Sequence, residues 1–227
     1  MKALLAVPLA SVLIGCGGMP PPAPLPPPSR HDVPTQIISP TTTGTAEELF
    51  HRGEALLAQQ RFKEAADNFA TLIAANEPSA APLLPQASFD LGVAREGLAA
   101  RTEARAAYES VLAKYPTSPF AKPALLRIMD LDAYLEDWPA LLDAATTFLA
   151  RVDLDDVDRM TGLGARGLAE IENDDDVHAA RDVEAGLELV DKLHYGAGGR
   201  LPAPAAQLRF ALGEIRRTRS ERIHFVQ

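Results

Sequence analysis

The feature that most constrains this fold is a spacing of small and aromatic residues that occurs twice. In each copy a glycine is followed twelve residues later by an alanine, four residues after that by an aromatic residue, and finally by a proline. The copies are Gly53, Ala65, Phe69 and Pro78, then Gly92, Ala104, Tyr108 and Pro116. Antiparallel helices approach closely where small residues lie between them, and an aromatic ring fills the space towards the next helix. The spacing therefore predicts repeated helical hairpins.

The pattern resembles the tetratricopeptide repeat, a helical hairpin with a standard period of 34 residues. The two copies here lie 39 residues apart, from Gly53 to Gly92, so we expect a connection about five residues longer than the standard one. The resemblance implies an all-α solenoid in which each hairpin buries its apolar face only against its neighbours. Three to four hairpins with a closing helix are near the minimum for a stable array.

Two weaker hairpins and a last helix continue the chain. The predicted helices span residues 123–134, 139–151, 156–171, 177–194 and 205–222. In the third hairpin Met129 takes the glycine position and Leu141 the alanine position, and in the fourth Leu163-Gly164 takes the packing position. No segment alternates apolar and polar residues over five or more positions, so we predict no β-sheet. We expect helical repeats over residues 46–194, and a Gly/Pro loop with a basic C-terminal helix over residues 195–227.

Residues 1–16 resemble the signal peptide of a bacterial lipoprotein. Lys2 supplies a positive start, and the apolar run over residues 3–14 is shorter than the ~20 residues that span a bilayer. The run ends at Leu13-Ile14-Gly15-Cys16, which resembles a lipobox, and Cys16 is the only cysteine. This resemblance implies acylation of Cys16 and, because Gly17 rather than Asp follows, anchoring on the periplasmic face of the outer membrane. A signal peptide with an accidental cysteine is the alternative.

Residues 17–45 are rich in proline and threonine. The prolines of the densest cluster are Pro20, Pro21, Pro22, Pro24, Pro26, Pro27 and Pro28. Proline fixes φ and removes a backbone donor, so this segment is predicted to be an extended, disordered tether between the lipid and the fold. A polyproline ligand for a groove-bearing partner is the alternative.

The segment Gly162-Leu-Gly-Ala-Arg-Gly167 matches the GxGxxG pattern of dinucleotide-binding folds. No predicted strand precedes it and no βαβ unit surrounds it, so small residues that allow close helix packing are favoured over a nucleotide site. The loop Gly196–Gly199 lacks the Lys-Ser/Thr pair of a phosphate loop and is interpreted as a flexible connection.

Two acidic groups could suggest a calcium site. They are Asp153, Asp155, Asp156 and Asp158, and then Glu172, Asp174, Asp175 and Asp176. Neither has the alternating ligands, turn glycine and distal glutamate of a calcium loop, and acidic residues are favoured at helix starts. The histidines share no metal-ligand spacing, and no nucleophile motif is present. We therefore predict a protein that is not an enzyme and has no metal and no cofactor.

The tetratricopeptide resemblance implies a partner groove on the first helix of each hairpin. The implied groove residues are Glu47, Phe50, Glu54, Gln86, Phe89, Val93, Leu126 and Asp130. Exposed Phe50 and Phe89 would form an apolar patch of the kind that binds partners, although both rings could instead complete the core. We expect the ligand to be an apolar helical or extended segment with some basic character.

Charge narrows the partners further. Without Lys2 the chain has 21 basic against 31 acidic residues, a net charge of about −10 that disfavours nucleic acid. The last helix is the basic exception. Its arginines are Arg209, Arg216, Arg217, Arg219 and Arg222. They form either a solvated capping face or a docking strip for an acidic partner.

Together these features predict a lipid-anchored scaffold or assembly factor that binds other envelope proteins. The resemblance extends to repeat lipoproteins of outer-membrane assembly, gliding and pilus machines. One alternative is an accessory factor of a peptidoglycan enzyme. The other is a small-molecule or nucleotide binder that uses the segment Gly162–Gly167.

Overall fold

The computed structural model describes residues 44–195 and 201–221. The predictions for the signal peptide, Cys16, most of the tether, the loop Gly196–Gly199 and Arg222 lie outside these residues. Within them the chain forms nine α-helices, one short 3-10 helix and no strand. The α-helices are α1 (Ala46–Ala58), α2 (Phe62–Ala75), α3 (Leu84–Gly97), α4 (Arg101–Lys114), α5 (Ala121–Tyr134), α6 (Trp138–Leu149), α7 (Asp156–Glu172), α8 (Asp176–Lys192) and α9 (Ala203–Glu221).

Helices α1 to α8 pack in chain order, each against the next, as four antiparallel hairpins. Helix α9 follows the last hairpin and packs against both α7 and α8. The 3-10 helix (Pro78–Ala80) lies in the connection between α2 and α3, which accounts for the long spacing of the first two repeats. The predicted all-α fold of stacked hairpins is confirmed. Among the helices of residues 44–195 and 201–221, none is long and apolar enough to cross a lipid bilayer.

The four hairpins turn in the same way. The residue that enters the left-handed region is Gln60, Ala99, Glu136 or Asp174, with φ between 56° and 61°. One residue later a backbone N–H donates to the carbonyl five residues earlier, for example Ala100 to Arg95 at 2.9 Å and Asp175 to Glu170 at 2.8 Å. This is the Schellman arrangement, which satisfies the last carbonyls of the first helix. It is made here without glycine, although glycine is the residue that adopts this conformation at least cost.

The predicted close approach is present in the first two hairpins. A Cβ added to Gly53 would lie 2.6 Å from Cε1 of Phe69, and one added to Gly92 would collide with the Tyr108 ring. Ala65 and Ala104, at the predicted alanine position, are fully buried. The Gly, Ala, aromatic register is therefore confirmed for both copies.

The third hairpin keeps the register but exchanges large and small residues. Met129 and Leu141 are buried at the glycine and alanine positions, as predicted. Ala145 lies sixteen residues after Met129, the position that Phe69 and Tyr108 hold in the first two hairpins. It belongs to the same core cluster as Met129 and Leu141. A large residue on the first helix is thus matched by a small one on the second, which preserves the packed volume.

The predicted packing position of the fourth hairpin was wrong. The packing glycine is Gly167, not Leu163-Gly164, because a Cβ on Gly167 would lie 2.9 Å from Cγ2 of Val183 on α8. Ala179 and Val183 follow Gly167 at the same intervals as in the first two copies. This copy was not recognised in the sequence because Val183 stands where the first two copies have an aromatic residue.

All three glycines of the GxGxxG segment lie inside helix α7. Each faces a different helix: a Cβ on Gly162 would approach Leu149 of α6 at 2.7 Å, and one on Gly164 would contact Gln207 of α9 at 3.7 Å. Gly167 faces α8, as described above. The segment lets three helices pack on one, and a dinucleotide loop between strand and helix is absent from this part of the chain.

Candidate functional site

The two phenylalanines predicted to line the groove lie in the packing between helices. Phe50 is only 4% exposed, and its ring meets that of Phe69 edge-on at 6.1 Å. Phe89 is half-buried, with ring centroids 5.3 Å from Tyr108 and 5.7 Å from Phe120. Phe50 is therefore a core residue and not an exposed groove residue, whereas Phe89 is only partly covered by Tyr108 and Phe120 and its place in a groove stays a prediction.

The other predicted groove residues divide into apolar and polar members. Val93 and Leu126 are partly buried and pack against the core, so only part of each side chain is accessible to a ligand. Glu47 is exposed in the first turn of α1, where a carboxylate is favoured by the helix dipole. The remaining three, Glu54, Gln86 and Asp130, belong to a polar row that crosses the first helices.

We call this set the inner polar row. Its members are Glu54 on α1, Gln86, Asp90 and Glu96 on α3, and Arg127 and Asp130 on α5. At one end Gln86 Nε2 donates to Glu54 Oε1 at 3.1 Å, and His51 Nδ1 lies 3.0 Å from Glu54 Oε2. The row therefore links the first helices of three consecutive hairpins.

Glu96 contacts residues on two other helices. The Tyr108 hydroxyl donates to Glu96 Oε1 at 2.6 Å, while Arg127 Nη1 lies 3.7 Å from Glu96 Oε2. Burial and the bond to Glu96 raise the pKa of Tyr108, so its hydroxyl stays protonated and acts as a permanent donor. A ring that packs on Gly92 thus also orients a carboxylate in the row.

Two carboxylates of the row have raised pKa values, of which Asp90 is half-buried and Asp130 is exposed at its surface. Burial raises the pKa of Asp90 to about 6, an effect that Gln86 opposes by hydrogen bonding and Glu54 adds to by repulsion. Burial likewise raises the pKa of Asp130, with Arg127 opposing and Glu96 adding to the shift. The row brings together four carboxylates and one guanidinium, so it carries excess negative charge that is half-buried at Asp90 and exposed at Asp130.

Sequence reasoning missed three members of this row: Asp90, Glu96 and Arg127. It counted only positions six before, three before and one after each packing glycine. Asp90 and Arg127 lie one residue beyond Phe89 and Leu126, where Asp90 is half-buried and Arg127 is exposed.

The predicted arginine strip lies on α9. Arg209 and Arg216 are exposed, and Arg217 is also exposed but pairs with Glu214 at 2.9 Å. The side chain of Arg219 lies outside the described part of the chain, as Arg222 does. The structure thus brings three of the five predicted arginines to one helix face.

The acidic groups act at helix starts and between helices. Asp155 begins α7 by accepting from the Asp158 backbone N–H at 2.7 Å, and Asp175 begins α8 in the same way at 3.2 Å. Asp158 also pairs with Lys122 of α5 at 2.7 Å. Where the chain is described, no three His, Cys, Asp or Glu side chains are grouped closely enough to hold a metal ion.

Comparisons with known proteins agree with this fold. Residues 86–118 match the family model described as a tetratricopeptide repeat, which covers the second hairpin. A solved tetratricopeptide repeat protein from Parabacteroides merdae ATCC 43184 superposes with a TM-score of 0.60 at 16% identity, over 78% of this chain and 60% of that one. This chain therefore spans about 60% of that protein's length.

A second solved structure, described as "MamA RS-1 ArsTM double mutant", superposes with a TM-score of 0.53 at 13% identity. That superposition covers 80% of this chain and 99% of the other. A search of curated protein sequences gave no match to this chain. The fold is that of a tetratricopeptide-like solenoid, a class built from stacked helical hairpins.

Proposed function

We propose that this protein is a non-catalytic scaffold that holds other proteins, and that its inner polar row binds a cationic segment of a partner. The observation that carries this proposal is the charge of the row: four carboxylates share one guanidinium, and burial raises the pKa of Asp90 and Asp130. A partner's Lys or Arg side chain placed there would stabilise the ionised carboxylates. Partly buried Val93 and Leu126 would meet the apolar part of the same segment.

The size of the cavity beside the row favours a side chain over a small molecule. The cavity next to Asp130 has a volume of about 50 Å³ and is also lined by Leu126, Thr161 and Gln207. Small-molecule sites usually have volumes of roughly 300–1,000 Å³. The nucleotide alternative loses its support as well, because the glycines of its motif are buried in helix packing.

The cellular setting of the scaffold is proposed from the sequence. The lipobox-like segment that ends at Cys16 supports anchoring to the periplasmic face of the outer membrane by acyl chains. The proline-rich segment would then hold the repeats away from the lipid surface. We propose that the partners are proteins of a cell-envelope machine, such as one for motility, pilus or outer-membrane assembly.

A charge-removing variant tests the inner polar row. A synthetic helical peptide of Leu and Lys is titrated by calorimetry into the wild-type protein and into Asp90→Asn with Asp130→Asn. We expect the double variant to bind about 30-fold more weakly, because it loses two ion pairs that each contribute about 1 kcal/mol. We also expect wild-type binding to weaken as the pH falls from 7.5 to 5, since Asp90, with its pKa at about 6, becomes protonated.

The matched control is Asp143→Asn, which removes an exposed carboxylate from α6. Its affinity for the peptide should equal that of the wild type. If Asp143→Asn weakened binding as much as the double variant, the peptide would respond only to net charge and the proposed site would be wrong.

A further inference from the structure

Helix α9 has the register of a first helix. In α3 and α5 the residues eight before, five before and two after the glycine position are buried. They are Leu84, Ala87 and Ala94 in α3, and Ala121, Ala124 and Leu131 in α5. Counted from Gly213, the same offsets in α9 give Ala205, Leu208 and Ile215, and all three are buried. Helix α9 therefore buries the same positions as α3 and α5, with Gly213 at the glycine position, although it packs on both α7 and α8 whereas α3 packs mainly on α2.

In the described part of the chain, no helix covers the face of α9 that holds Gly213 and Phe210. A Cβ added to Gly53, Gly92 or Gly167 would press against a side chain of the following helix, whereas one added to Gly213 meets nothing within 4 Å. Phe210 lies three residues before Gly213, as Phe50 does before Gly53. It is nevertheless 63% exposed, against 4% for Phe50.

The charge on this face specifies what could cover it. The exposed stripe of α9 consists of Ala206, Arg209, Phe210, Gly213, Arg216, Arg217 and Ser220. It holds small residues, one large ring and three arginines, and no carboxylate. Glu214 lies beside the stripe and pairs with Arg217. Two such stripes brought together from two copies would repel each other, so a second α9 is disfavoured.

We propose that this stripe is a docking site for an acidic amphipathic helix of a partner protein. The partner helix would seat a bulky apolar side chain on Gly213 beside Phe210, and its carboxylates would pair with Arg209 and Arg216. The proposal rests on the scaffold function proposed above, but it uses a surface separate from the inner polar row. It names the class of partner: a helix that completes a repeat.

Within this chain, helix α8 already has the composition and packing proposed for the partner helix. Residues 175–193 contain six carboxylates, one arginine and one lysine, for a net charge of −4. Val183 sits over Gly167 of α7 at the position a partner's apolar residue would take over Gly213. The buried Asp182 pairs with Arg166 across the same interface. An acidic helix that covers a first-helix glycine is thus already part of this fold.

The probe for the docking site is a synthetic, end-capped peptide of residues 175–193. A peptide of residues 101–114, the second helix of the second hairpin, is the charge control because its three basic and two acidic residues give +1. Each peptide carries a fluorophore and is titrated with the full protein in an anisotropy measurement. We expect the acidic peptide to bind more tightly than the control and to lose affinity as salt is added.

The variant Gly213→Leu tests whether the peptide helix packs on α9 at Gly213. Because nothing lies within 4 Å of a Cβ at this position and glycine disfavours a helix interior, the thermal midpoint should be equal to or slightly above the wild-type value. The side chain would block close approach of the peptide helix, so affinity should fall by roughly tenfold or more. Arg216→Glu should weaken binding and remove part of its salt dependence, with the fold again unchanged.

Three outcomes would overturn the proposal. The acidic peptide could fail to bind, or it could bind Gly213→Leu as well as the wild type. The wild-type protein could also self-associate in sedimentation velocity and lose that association in Gly213→Leu, which would make the occupant a second copy. The variant with Asp90→Asn and Asp130→Asn should bind the acidic peptide normally, so failure at this surface is distinguishable from failure of the inner polar row.

Discussion

At the residue scale, packing in this chain depends on pairs of positions rather than on single residues. Gly53 with Phe69, and Gly167 with Val183, are small and large partners across one interface. Met129 with Ala145 reverses the sizes, and both residues remain buried. A core tolerates such exchanges when total volume is conserved. The register can therefore persist where the consensus residues do not.

The pKa of an ionisable residue also depends on its neighbours. Glu170 of α7 is buried, and burial with repulsion from Asp182 raises its pKa to about 7. In the unfolded chain its pKa is the ordinary value of 4.5. The folded state thus binds this proton more tightly than the unfolded state, so Glu170 lowers stability progressively as the pH rises from 4.5 to 7, and fully above pH 7.

Glu170→Gln should therefore stabilise the protein at pH 8 by about 1–3 kcal/mol, and most of that gain should disappear at pH 5. Urea denaturation at the two pH values measures the difference. Glu188→Gln, which changes an exposed carboxylate on the neighbouring helix, should leave stability nearly unchanged at both. A Glu170→Gln protein no more stable than the wild type at pH 8 would show that Glu170 is ionised at little cost.

At the element scale, each hairpin is closed by the same turn. Four non-glycine residues, Gln60, Ala99, Glu136 and Asp174, hold positive φ. Each costs roughly 1 kcal/mol relative to glycine, because its Cβ crowds the carbonyl in the left-handed region. The turn persists because backbone hydrogen bonds and the packing of both helices fix it.

Ala99→Gly should stabilise the protein by up to about 1 kcal/mol, since Ala99 is exposed and has a φ of 58°. The same change at Ala106, exposed within α4, should destabilise it by about 1 kcal/mol because glycine disfavours helix. Guanidinium denaturation of the two variants beside the wild type gives both values. Loss of stability in both would mean that the entropy of glycine in the unfolded chain outweighs relief of the turn.

At the scale of the whole molecule, the anchor and the repeats are predicted to be separable. Cys16→Ser should release the protein from the membrane fraction, because two or more acyl chains provide stable anchoring and a single thiol provides none. The thermal midpoint of the repeats should not change. Membrane fractionation with a high-salt wash, together with labelling by a radioactive fatty acid, measures the release. Retention of the unlabelled variant after the wash would rule out the lipid anchor.

The sequence by itself determined the class of fold and the register of the first two hairpins. Small residues and rings spaced twelve and four apart fix which sides of two consecutive helices meet, and that information is local in the chain. It also located the later helices to within two residues of their observed ends, because apolar periodicity, prolines and acidic starts are local signals. The fourth copy was recoverable in the same way from Gly167 and Ala179, once valine was allowed in place of an aromatic residue.

Only the tertiary structure decided which of these equivalent positions are covered. Phe50 and Phe210 hold the same offset from a glycine, yet one is buried and the other exposed. Helix α2 packs on α1, whereas none of the helices within residues 44–195 and 201–221 packs on that face of α9. The inner polar row likewise joins residues from different hairpins, such as Glu54 and Gln86, which are 32 residues apart. Burial and charge environment depend on the sum of neighbours brought from distant parts of the chain, and no local pattern contains that sum.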